Sequence, residues 1–313
     1  MSNTCVREPR EVIGDQGIAN VCSVLGCASP AVAKAEPIEE GLTNSSYKVV
    51  VDGTPYVYRV PGAGTEKIID RRSETFSQGV ARELGIDDTF VFEDEKSGWK
   101  LSRFVDGCIP FDYHNPEHVA GAMGIARKLH GCGVQSKWSF DLGEKTAELD
   151  GLLNEAGYEL PADYQALSSM ASELAACSKG DGVPQVLCHN DFYEPNFLVK
   201  CDQDSLKLYL IDWEYSAMAD YASDLGTFIC CSDYTVDEAL SVISQYFGRT
   251  PTKAEKAHCL AYVSLAAWYW YVWALYKDCT GDPVGDWQEL WHGYASEYGS
   301  LALEAYKSKD NLA

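Results

Sequence analysis

Hydrophobic positions change their period several times along the chain, and those changes divide it. Over 41–60, GLTNSSYKVVVDGTPYVYRV, two runs rich in Val and Tyr flank Asp52-Gly53. That is the pattern of two strands joined by a tight turn. A polar loop, 41–46, leads into it. The segment after Gly64, TEKIIDRRSETFSQGVARELGI, has helical spacing. TFVFEDEKSGWKLSRFVDG, 89–107, returns to two strands around Ser97-Gly98 and completes a small antiparallel sheet. From Pro110 the spacing is helical. HVAGAMGIARKLHGCG stops at Gly131, and two helices with acidic outer faces follow. Two apolar runs, VLCHNDFYEPNFLV and LKLYLIDWEYS, interrupt the helical pattern. It then resumes through VDEALSVISQYFG and a Trp-rich segment. Residues 1–40 are mixed; VIGDQGIANVCSVLGCA predicts one short helix, and SPAVAKAEPIEE leads out of it without an evident function. The expected fold is therefore α+β. A lobe over 1–106 carries the antiparallel sheet, with 1–40 as a partly helical extension, and a larger, mostly helical lobe covers 107–313.

Composition narrows the function classes. The chain has 313 residues, 46% of them apolar, enough for a large core. Its formal charge of −22 argues against nucleic acid or an anionic membrane as a partner. It suits a small cationic substrate. The 12 cysteines include no C-x-x-C pair, so no zinc framework is expected. A polar, charged N-terminus without a signal pattern points to a reducing cytoplasm. From Cys259 to Tyr276, 18 residues carry no charge, but the run is crowded with Trp and Tyr and reads as a buried helix. His114 and His118, with Pro116 between them, read as surface residues. The oligomeric state is not legible.

The chemistry concentrates in 186–216. His189, Asn190 and Asp191 are followed by Asn196, the H-x-D-x-x-x-x-N spacing of a phosphoryl-transfer loop. That reaction needs an oriented nucleophile and cations on the phosphates. Asp191 can accept a hydrogen bond from a substrate hydroxyl, Asn196 can offer an amide oxygen to Mg2+, and Asp212 a hard carboxylate. Asp224, further on, opens a helix and can cap it or brace the loop. Upstream, the 41–46 loop, with Asn44 and Ser45, can approach phosphates through hydroxyls and backbone N–H groups. Arg59 ends the second strand and can hold a phosphate. Glu74 is the candidate acid to pair with it and Glu83 the alternative. Phe104 to Asp106 is the link between lobes. Trp270 and Trp273 share a helix face and, with Tyr215 and Tyr294, make a candidate box for a quaternary ammonium. Trp287 and Trp291 follow as further aromatics.

CHNDFYEPNFLV, LIDWEYSAMADYASDLGTF, the Trp-rich helix, GLTNSSYKV and YVYRVPG together resemble the choline/ethanolamine kinases. The tone of GLTN, RVPG and DWEY is similar to that of bacterial choline kinases, within the aminoglycoside phosphotransferase group. The resemblance covers about 38–300. It implies a protein-kinase-like two-lobed fold and ATP- and Mg2+-dependent phosphorylation of the choline hydroxyl. It implies Asp191 as catalytic base or orienter, and Asn196, Asp212 and Glu214 at the metal. ATP contacts would come from Asn44, Ser45, Arg59 braced by Glu74, Phe104 and Asp106. Tyr215, Trp270, Trp273 and Tyr294 would face the head group. Tyr193, which stands where eukaryotic members commonly carry Gln, joins them. Those members also carry a Glu near Cys231, where this chain has Asp233. Same-chemistry alternatives are ethanolamine, thiamine, a methylthio-sugar or an aminoglycoside as acceptor. A non-catalytic kinase-like binding module would predict loss of the base or of a metal ligand, and Asp191, Asn196 and Asp212 are all present.

Overall fold

Two compact units make up the chain in a computed structural model, which describes residues 8–38, 44–62, 69–202 and 205–310. The expectations for residues 41–43 of the polar loop lie outside the described residues. One unit runs to Ile109 and takes in Lys200–Ser205; the other comprises Pro110–Val199 and Leu206–Ala313.

The first unit is a five-stranded antiparallel sheet in the order β1-β2-β3-β5-β4. Its strands are β1 (Val32–Ile38), β2 (Ser45–Val51), β3 (Thr54–Val60), β4 (Phe90–Glu93) and β5 (Lys100–Arg103). The predicted turn joins β2 to β3: Asp52 and Gly53 both have positive φ, 49° and 79°, as the two-residue turn of a right-twisted hairpin requires. Helix α1 (Pro9–Leu25) is longer than expected and packs Ile18 and Val21 against Val32, Val49, Tyr58 and Leu101. β1, at the sheet edge, was not expected. Its Lys, Glu and Pro37 hide the alternation, and its partner β2 begins only at Ser45. Helix α2 (Arg71–Glu83) starts at Asp70, whose side chain accepts from Arg72 N at 3.1 Å. A two-residue strand, β6 (Cys108–Ile109), ends the unit.

The second unit is helical around small strands. Helices α3 (Pro116–His130), α4 (Leu142–Ala156) and α5 (Tyr164–Gly180) precede β7 (Val186–Cys188). β8 (Phe197–Asp202) and β9 (Ser205–Leu210) lie side by side, and β10 (Ala217–Ala219) pairs antiparallel with β7. Then come α6 (Tyr221–Cys230), α7 (Val236–Phe247), α8 (Lys253–Cys279) and α9 (Trp287–Asp310). The charge-free run is the body of α8, which packs against α4, α5, α6 and α9, so it is apolar on every side. No described helix is long and apolar enough to cross a membrane. A Cβ at Gly226 would collide with the Tyr262 carbonyl oxygen, so glycine is what lets α6 and α8 close up.

His118 is buried, contrary to the surface reading. Pro116 is the first residue of α3, not an interruption, and His118 Nδ1 accepts from Asp112 N at 3.0 Å against the Phe111 ring. A second buried histidine, His258 on α8, meets Asp181 through Nδ1 and Asp220 through Nε2, both at 3.0 Å. Tyr306 donates to the same Asp181 oxygen at 2.7 Å. Both ring nitrogens face carboxylates, so both carry protons. Burial alone would lower the His258 pKa, but Asp220 and Asp181 outweigh it and raise it.

Candidate active site

Asp191 leaves the end of β7 on a loop tied down from several sides. Asn190 sits at φ 64°, a left-handed conformation that Asn tolerates. Its amide donates to Tyr215 O at 3.0 Å and accepts from Ser223 Oγ at 3.1 Å. Asp224 braces the loop and does not cap α6, which Asp220 does. Asp224 accepts from His189 N at 3.0 Å and Asn190 N at 2.6 Å, and from His130 Nε2 at 2.9 Å. His130, Cys188 and Asp224 bring metal-ligating atom types within 4.8 Å of one another. Yet the Asp224 oxygens are engaged by these donors, and burial with the Asp224 charge pushes the Cys188 thiol well up and keeps it protonated. The group is a brace.

Asn196 follows one short turn later and donates Nδ2 to the Asp191 carboxylate and to its backbone oxygen, both at 2.8 Å. The amide nitrogen is thereby committed to Asp191, which orients the amide oxygen away from it. After β9, Asp212 has φ 67°. Trp213 is fully buried against His189 and anchors the turn, its Nε1 donating to Leu210 O at 3.0 Å. Glu214 is buried. Burial, then the charges of Asp212 and Glu214, push Asp191 well above the usual carboxylate range, while Asn196 pulls the other way.

An arc of rings borders these acids. Tyr193 lies 6.4 Å from Trp287, Trp287 stacks on Trp291 at 5.3 Å, Trp291 lies 5.9 Å from Trp270, and Trp270 meets Tyr215 edge-on at 6.0 Å. Tyr193, Trp287 and Tyr215 are half-buried, and Trp270 and Trp291 are buried. Trp273 touches Trp270 and Trp291. Tyr294 does not join the arc: it stacks on Tyr298 at 5.2 Å and donates its hydroxyl to Tyr234 O. Trp287 and Trp291 had no assigned place in the predicted box; their spacing of four on α9 was the available signal.

In the first unit, Arg59 and Glu74 meet as expected, at 2.5 Å. Glu74 is fully buried and also binds Lys100 at 2.8 Å and Arg71 at 2.9 Å. Burial would raise Glu74, but Arg59 and Lys100 overcome it and hold the carboxyl far below its ordinary range. Lys100 and Arg71 were not expected; Lys100 is brought in by the register that sets it opposite Arg59. Glu83 takes no part in this cluster among the contacts of the described residues. Asn44 Oδ1 accepts from Gly62 N at 3.3 Å, and Ser45 is exposed at the head of β2. Lys48 stands 3.8 Å over the Phe104 ring and pairs with exposed Asp106 at 3.0 Å.

Comparison with known proteins identifies the family and the fold. The model of the phosphotransferase enzyme family matches residues 34–255. A crystal structure of a choline/ethanolamine kinase family protein from Mesorhizobium loti superposes with a TM-score of 0.76 at 24% identity, covering 95% of this chain and 99% of that one. Choline kinase LicA from Streptococcus pneumoniae gives 0.72 at 26%, covering 93% and 97%. A crystal structure of LicA in complex with AMP gives 0.69 at 23%, covering 94% and 98%. The fold is thus the mixed α+β, kinase-like fold of these proteins.

Proposed function

The chain belongs to the phosphotransferase enzyme family, and we propose that it transfers the terminal phosphate of ATP to the hydroxyl of choline. An enzyme that moves phosphate to an alcohol is what the family and its choline kinase relatives establish. The observation that carries the choline assignment is the aromatic arc. It begins at Tyr193, two residues beyond Asp191, and ends at Tyr215, one beyond Glu214. A trimethylammonium group donates no hydrogen bond and is stabilised by ring faces, by up to about 2 kcal/mol each when desolvated. Choline carries its hydroxyl two carbons from that group. A ring surface next to the hydroxyl-orienting carboxylate therefore suits it better than acceptors with primary amines, which want carboxylates and carbonyls.

Asp191 would accept the hydrogen bond of the choline hydroxyl and point its oxygen at the phosphorus, with Asn196 Nδ2 holding the carboxylate in place. The donor set of Asn196, Asp212 and Glu214 is all oxygen, which fits Mg2+. A divalent cation there would also reverse the like-charge effect that pushes Asp191 up. When bound, it would neutralise phosphate charge. Nucleotide use is supported by the AMP complex of LicA. Arg59 would hold phosphate, braced by Glu74, and Asn44, Ser45, Phe104 and Asp106 would border the nucleotide. A cytoplasmic setting suits a soluble substrate of this kind.

The test is ADP release with ATP and Mg2+ across choline, ethanolamine, thiamine and kanamycin. Choline should dominate. Dominance by another acceptor keeps Asp191 and discards the aromatic reading. Trp287→Ala should raise KM for choline about tenfold while leaving KM for ATP unchanged. An equal rise in both would make Trp287 a packing residue.

A further inference from the structure

Beside Glu74 lies a second carboxyl group that the reaction as described does not use. Glu93, on β4, is buried. Its Oε2 accepts from Gln78 Nε2 at 2.9 Å and Thr75 Oγ1 at 3.3 Å. Its Oε1 is shut off from solvent and receives no N–H donor among the described residues. Of the charges around it, that of the Glu74 carboxyl bears on it most strongly. Two carboxyl oxygens can share a hydrogen bond only if one of them carries a proton.

The surroundings decide which one does. Lys100 lies opposite Glu93 in the β4–β5 register, yet it turns its ammonium to Glu74 Oε1 at 2.8 Å. Arg59 from β3 and Arg71 from α2 reach Glu74 as well. Three cations thus hold the charge on Glu74, and the proton falls to Glu93. We propose that Glu93 is a positioning residue. As a neutral acid it donates a hydrogen bond to Glu74 and so fixes the carboxylate on which Arg59 and Lys100 converge. The proposal rests on the reading of Arg59 as the phosphate-holding cation.

Burial and the Glu74 charge push Glu93 up to about 8, against the weaker pull of Lys100 and Arg59. The proton is therefore kept at neutral pH and given up just above it. Once ionised, Glu93 repels Glu74 and competes with it for Lys100 and Arg59.

Glu93→Gln keeps the size and an N–H donor but cannot ionise. Two readouts separate the alternatives. In the first, unfolding by urea is followed from pH 5 to 9. The unfolded chain loses the Glu93 proton near pH ~4.3 and the folded chain only near 8, so wild-type stability falls across that window. Relative to E93Q, the wild-type folding constant should drop about tenfold per pH unit and then level off. Parallel curves at every pH would overturn the proposal. In the second readout, KM for ATP is normalised to each protein's own value at pH 7. It should rise several-fold by pH 9 in wild type and stay level in E93Q. An equal rise in both would remove Glu93 from phosphate positioning. Unfolding needs no turnover, so absence of kinase activity would overturn the proposed function while the first readout still decides whether Glu93 carries the proton.

Discussion

Glu74 and Asp191 are both carboxyl groups in tight surroundings, and their environments drive them in opposite directions. Around Glu74 three cations converge, and the acid is held ionised far below its usual range. Around Asp191 the neighbours are Asp212 and Glu214, and the acid is pushed up. The first cluster balances a fixed charge with charges of its own unit and works as a frame. The second gathers like charges, which under the proposed function a bound cation would offset. A buried acid that its own chain has neutralised supports the site, whereas one surrounded by other acids is suited to receiving a ligand.

The contrast makes predictions of decreasing size. Asp191→Ala should cut kcat by about 10³ to 10⁴-fold while ATP binding, followed by thermal shift, is retained. Substantial residual turnover would remove Asp191 from the chemistry. Glu74→Ala should leave three buried cations without their shared partner and cost about 3–5 kcal/mol in urea unfolding. A loss confined to activity would mean that Glu74 is no frame.

The smallest effect belongs to His258, where one cation sits between two acids. Its raised pKa means that its contribution to stability is complete below the unfolded value of about 6.5. It is lost as the pH rises through the higher folded value. His258→Gln should abolish that alkaline loss. An unchanged pH profile would show that His258 carries no charge in the fold.

What could be read in advance follows from distance along the chain. Asp191 and Asn196 are five residues apart on one loop, and Asp52-Gly53 makes its turn alone; both are local facts. Lys100 reaches Glu74 only because β5 pairs with β3 in one register, which no local pattern announces. Glu93 needs that sheet and α2 together. Trp291 meets Trp270 across two helices and Trp287 stacks on Trp291, so their part in the arc depends on how α8 and α9 pack. The ring of Tyr294 suits such a box, but it stacks on Tyr298 and its hydroxyl donates to Tyr234 O. His118 is hidden in the sequence because a proline that opens a helix looks, in a bare string, like one that breaks it.

Gly226 bears on the placement of Trp270, a member of the aromatic arc. Trp270 hangs on α8, and its Nε1 reaches across to Thr227 Oγ1, the residue after the glycine. The separation of α6 and α8 is therefore set by a single hydrogen atom where any other residue has a carbon. A methyl group at 226 would force α6 and α8 apart and so move Trp270 relative to Thr227. On the proposed reading of Trp270 as part of the acceptor wall, Gly226 bears on that wall from a position outside the aromatic arc.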